Sequence, residues 1–184
     1  MTGFLLSFLA ALITGTGARD QMTVARLTEI QGARPALLVV ALTAAAVCTG
    51  ASVWLAAGII TGFAPSDPIL FTALLMIAAG VEVVVLRPTL QPVEPTNSLF
   101  AAFVVLLSLQ LADAARLVVL AVGVGMVAPL TSGAGGFAGS ALAITLGWTM
   151  PARLRSGPLV RWRLASGLLL IAGGLFMGYP ALIA

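Results

Sequence analysis

Long apolar runs separated by short polar breaks dominate this chain. Six of them, near 3–24, 36–61, 68–86, 98–124, 130–150 and 162–183, approach or exceed the about 20 residues a helix needs to cross about 30 Å of hydrocarbon. The breaks carry helix punctuation. Ser66-Asp67-Pro68 offers a cap followed by proline at a first helical position, Pro95-Thr96-Asn97-Ser98 does the same before the fourth run, and Pro129 and Pro151 bracket the fifth. The first three runs also recur faintly in the last three. Pro35 falls on Pro129, Trp54 on Trp148 and Leu74–Gly80 on Leu168–Gly174 at one common offset, with Phe8 and Phe103 one residue further apart. The expected fold is an all-α membrane protein of six transmembrane helices, one transmembrane domain over 1–184 built from two three-helix repeats, 1–90 and 96–184. Three is odd, so the second repeat would enter the bilayer from the opposite face. Inverted repeats of that kind build a site between the halves in transporters.

Composition agrees with the pattern, since 60% apolar and only 8% charged residues in 184 exclude an ordinary soluble domain. The chain has no lysine and no histidine, so its nine cations are all arginine. Arg26 and Arg34 follow the first run, Arg87 the third, and Arg153, Arg155, Arg161 and Arg163 the fifth. The positive-inside rule makes those three connections cytoplasmic and both termini external, in an inner membrane of bacterial type. The net charge of +3 is then a topology signal rather than an affinity for nucleic acid. Met1-Thr2-Gly3 lacks the basic start of a signal peptide. Cys48 is alone inside the second run and has no disulfide partner. Trp54, Trp148, Trp162 and Tyr179 stand toward run ends as interfacial anchors. Gly133, Gly135, Gly136, Gly139 and Ser140 give the fifth run the spacing of close helix packing.

Ionisable groups inside a span cost at least about 2.5–3.5 kcal/mol each and so mark function. Asp113 stands near the middle of the fourth run, with Gln110 a turn before and Arg116 a turn after, which on a continuous helix is one face. It reads either as a proton or cation carrier facing a wet cavity or as half of a neutral pair with Arg116. Arg19-Asp20-Gln21 holds the matching part of the first run, behind Thr14-Gly15-Thr16-Gly17, where the helix could break and expose carbonyls; alternatively the run ends near Ala18. Glu82 lies near the end of the third run and reads most simply as a snorkelling partner of Arg87.

These motifs resemble the small Ca²⁺/Mn²⁺:H⁺ antiporter family of bacteria, thylakoids and the Golgi, within the lysine-exporter superfamily. Its members carry E-x-G-D-K/R-S/T-Q in each half, and the two copies are thought to meet and hold the cation. Here the copies read Gly15-Thr16-Gly17-Ala18-Arg19-Asp20-Gln21 and Gln110-Leu111-Ala112-Asp113-Ala114-Ala115-Arg116. The resemblance extends over nearly the whole chain and implies cation/proton exchange. Its ion-binding residues would be Asp113, Gln110, Asp20, Gln21, Thr14 and Thr16, with Asp113 and Asp20 on the metal and Arg19 and Arg116 as charge partners. Gly15 and Gln110 replace the two glutamates and Ala18 an aspartate, while Asp20 stands at the hydroxyl position.

Two functions remain open. One is a secondary transporter carrying Ca²⁺, Mn²⁺, or a monovalent or organic cation against protons, with no cofactor. The other is a non-transporting scaffold or partner protein that has lost the site. A homodimer is an alternative to a monomer, because units this small could need a second copy to enclose a pathway. An enzyme is not expected: no histidine, no nucleotide loop and no catalytic carboxylate pair outside lipid is present.

Overall fold

The computed structural model describes residues 1–62, 68–86, 98–155 and 158–183. They form α1 (Thr2–Gly15), α2 (Arg19–Gln31), α3 (Pro35–Gly62), α4 (Pro68–Val85), α5 (Leu99–Gln110), α6 (Ala114–Gly125), α7 (Pro129–Thr149), a 3₁₀ turn (Pro151–Arg155) and α8 (Pro158–Ile183). The starts follow the expected punctuation. Pro68 opens α4, Pro129 opens α7, and Ser98 caps α5 by accepting the Ala101 N–H at 3.3 Å. The other residues of the two cap motifs, 66–67 and 95–97, lie outside the described residues, as does Arg87.

The first and fourth apolar runs are not continuous helices. α1 and α2 meet at 56°, and α5 and α6 at 53°. The first break uses Gly17, whose φ of +77° suits glycine. The second has no residue in that region and is made by Asp113, which leaves the helix to cap α6, its Oδ1 accepting the Arg116 N–H at 2.9 Å. An aspartate that bonds its own backbone competes with helix continuation. Gln110, Asp113 and Arg116 therefore do not line one helical face, as expected of an unbroken span, but straddle a corner.

By length and apolarity α3, α4 and α8 can each cross a membrane, and each bent pair qualifies when taken as one span, giving three to five. α7 is uncharged but rich in glycine, serine and threonine, and Ser132, Gly133, Gly135, Gly136, Gly139, Ser140 and Gly147 are buried in packing rather than turned to lipid. No strand occurs among the described residues.

Small residues decide how the helices approach. α1 runs along α7 and α4 along α8, while α3 packs on α5, α6 and α7. A Cβ on Gly135 or Gly139 would strike the backbone carbonyl of Phe4 or Phe8 in α1, and one on Gly80 would strike that of Gly167 in α8. One core joins Val24, Ala41, Ala44, Ala45, Leu106 and Ile144; a second joins Ala79, Val83, Ala114, Val118 and Leu170. The large apolar side chains face outward, with Trp54 75% and Phe176 82% exposed, as a lipid-facing surface requires. Trp148 and Trp162 tie separate elements together, their indole N–H groups donating to Arg34 O (3.2 Å) and Ile13 O (3.3 Å).

This packing makes a clean contrast. Gly139→Ala should lower unfolding stability by about 1–3 kcal/mol through overpacking against α1. Gly50→Ala, whose Cβ meets nothing within 4 Å, should be neutral or stabilising by up to about 1 kcal/mol. Thermal unfolding in detergent checks both.

Candidate functional site: two helix breaks around a buried charge cluster

Both breaks open onto the bundle interior. At the first, Asp20 occupies the first turn of α2 and is buried, its Oδ1 accepting the Gln21 N–H at 2.8 Å. Gln21 ties the corner together: its Oε1 accepts the Gly17 N–H at 2.6 Å and its Nε2 donates to Ala143 O of α7 at 2.6 Å. At the second, Asp113 caps α6 and is also buried. Each carboxylate thus stands at a helix N-terminus, where unpaired N–H groups and the helix dipole favour negative charge.

The sequence candidates do converge. Asp20 interacts electrostatically with Asp113 and with Arg116, and Asp113 with Arg116 and Arg19. Arg116 is 2% exposed. Its guanidinium turns to neutral oxygens rather than to Asp113, Nη1 donating to Ser140 Oγ at 2.8 Å and Nη2 to Gln110 Oε1 at 3.2 Å. Thr14 and Thr16 behave otherwise: their hydroxyls donate to Ala10 O (2.8 Å) and Leu12 O (2.7 Å) of their own helix.

Three participants escape a reading by motif. Glu82 of α4 pairs with Arg19, Nη2 to Oε1 at 3.1 Å; its expected partner Arg87 lies outside the described residues. Arg163, placed by sequence in a cytoplasmic connection, lies inside α8 and is buried. Its Nη2 reaches Val83 O and Leu86 O, both at 3.4 Å, at the carbonyl end of α4, where a cation is favoured. It also interacts with Glu82, Asp20 and Asp113. Ser140, read as a packing residue, is the third. Cys48 is buried and free, its Sγ 3.6 Å from Leu107 O.

The cluster therefore holds Asp20, Asp113 and Glu82 against Arg19, Arg116 and Arg163, and its formal charge is zero. Ca²⁺ takes six to eight oxygens, several of them anionic. Among the described residues no group of three or more His, Cys, Asp or Glu side chains is placed to hold a metal ion, so Asp20 and Asp113 would have to bind one as a pair beside Arg116. The chain matches no protein-family model, no curated protein and no solved structure.

Burial gives the Arg19–Glu82 bond weight. Glu82→Gln should cost about 1–3 kcal/mol in thermal unfolding, because it leaves a half-buried guanidinium without its acid. Arg26→Gln, which breaks the more exposed Arg26–Glu29 pair, should cost no more than about 1 kcal/mol.

Proposed function

We propose that the protein is a secondary membrane transporter that exchanges a cation for protons at the two helix breaks. The observation that carries this reading is that Asp20 and Asp113, one from each half of the chain, lie within electrostatic reach of each other, both buried and both at the N-terminus of a half-helix. Structural pairs of that kind are rare in lipid and mark ion pathways. Interrupted helices also leave carbonyls free to meet cations, and half-helix N-termini free to meet carboxylates.

In this reading 1–90 and 96–184 are inverted repeats of three spans each, six in all, with α7 as the fifth. Helix pairing supports it. The first span of one half packs on the middle span of the other, α1 on α7 and α5–α6 on α3, while the third spans, α4 and α8, pack on each other. That exchange is what a two-fold axis in the membrane plane would produce. The arginine-bearing connections then face the cytoplasm, both termini lie outside, and the membrane is a bacterial inner membrane.

The cycle needs only the chain's own groups. With all six groups of the cluster ionised its charge is zero, so Asp20 and Asp113 each offer only one negative charge in a balanced surrounding, which suits a proton or a single monovalent or organic cation. Proton arrival at either carboxylate removes that charge and releases the cation; proton loss to the other face restores it. A divalent ion fits this balance poorly, so Ca²⁺ and Mn²⁺ are the weaker substrates despite the motif resemblance. A scaffold without transport is the alternative.

Asp113→Asn separates charge from structure, because asparagine caps a helix as well as aspartate does. In proteoliposomes with an imposed pH gradient, each of Na⁺, K⁺, Mn²⁺ and Ca²⁺ would be offered in turn. Gradient-dependent flux of a monovalent cation should appear with the native chain and fall to the level of empty liposomes in Asp113→Asn at unchanged thermal stability. Flux retained in the variant removes Asp113 from the mechanism; none in the native chain with any of these ions or an organic cation favours the scaffold.

A further inference from the structure

Among the described residues Arg116 is the largest of the fully buried side chains. Its guanidinium is enclosed by four elements: Ser140 of α7 and Gln110 of α5 accept from it, Cys48 of α3 lies against it, and Asp20 of α2 interacts with it electrostatically. Neutral oxygens in direct contact, with carboxylates around them, are the surroundings a bound cation would have.

The unpartnered atoms nearby carry the argument further. A vacant cation site presents buried acceptors without donors. Here the buried unpartnered atoms of the charge cluster and its neighbour Gln110 are all donors: Arg19 Nε, Gln110 Nε2, Arg116 Nε and Arg163 Nη1. The guanidinium donors thus outnumber the acceptors they reach, and Asp20 and Asp113 each give one oxygen to a backbone N–H rather than to Arg116.

The geometry points to Arg116 as a tethered cation that occupies the divalent-ion position between the two helix breaks and so determines specificity, limiting the site to a single positive charge. This builds on the transport reading but concerns which ions the site can bind. Without the guanidinium, Asp20 and Asp113 together with the oxygens of Gln110 and Ser140 form a two-carboxylate, oxygen-rich set of the kind hard divalent cations take. A carboxylate added beside the guanidinium would be captured by it, since a paired charge is the favoured state of a buried one.

Binding of Mn²⁺ alone to the purified full chain in detergent, followed by loss of the free-ion electron paramagnetic resonance signal, tests this without any transport assay. The native chain and Arg116→Lys should bind no Mn²⁺ at millimolar concentration. Arg116→Gln should gain one site, at least about tenfold tighter than any native binding, and Arg116→Gln combined with Asp113→Asn should lose it again. Gln110→Glu with Arg116 intact should gain none. A native chain that binds as tightly as Arg116→Gln, a folded Arg116→Gln that binds nothing, or a new site in Gln110→Glu would each overturn the assignment. Should Arg116→Gln fail to fold, Gln110→Glu decides alone. A native chain without proton-coupled flux would defeat the transport reading and leave this result standing.

Discussion

Charge in an apolar bundle has to be balanced where it sits, and the interior of this protein is organised by that requirement. Taking an ion from water into a low-dielectric interior costs several kcal/mol even after relaxation. The chain places three carboxylates and three guanidiniums within electrostatic reach of one another. None would be tolerable alone. Their mutual neutrality lets α2, α4, α6 and α8 converge on one region, and the two helix corners provide the polar backbone that supports them. Asp113 shows both roles at once, as one charge of the cluster and as the residue whose side chain ends one helix and begins the next.

The two corners are built alike but unequally. Ala18 and Asp113 both stand at the N-cap of a second half-helix, yet only Asp113 has an oxygen to offer there. Gln21 and Arg116 follow three residues behind these caps and both reach across to α7, Gln21 to Ala143 O and Arg116 to Ser140. The first corner is held by neutral hydrogen bonds and the second by a guanidinium. This asymmetry puts a charged group at the second corner where the first has an amide.

Much of this was readable from residues alone. Apolar run length and proline and serine punctuation located the helices, because those signals are local. Thr14-Gly15-Thr16-Gly17 marked the first corner through glycine. The second corner was hidden, since Leu111-Ala112-Asp113-Ala114 contains neither glycine nor proline, and only the capping bond to Arg116 N–H reveals why the helix stops. The bond of Glu82 to Arg19 and the burial of Arg163 were hidden for a different reason. Their partners lie 63 and 80 residues away, and sequence proximity says nothing about such contacts. The fifth run read as a span by its lack of charge, and its glycines and serines, which lower its apolarity, serve contact with α1 and α3.

The central claim is that residues from the two halves share one charge-balanced site, and a double-mutant cycle between Asp20→Asn and Arg116→Gln tests it most directly. The two positions belong to different corners and different halves, so they can be coupled only through space. Unfolding free energies of the two single variants and the double variant, measured in one detergent, should depart from additivity by at least about 1 kcal/mol, the double variant being less destabilised than the sum of the two. Additivity within about 0.3–0.5 kcal/mol, the behaviour of distant independent sites, would contradict the shared site.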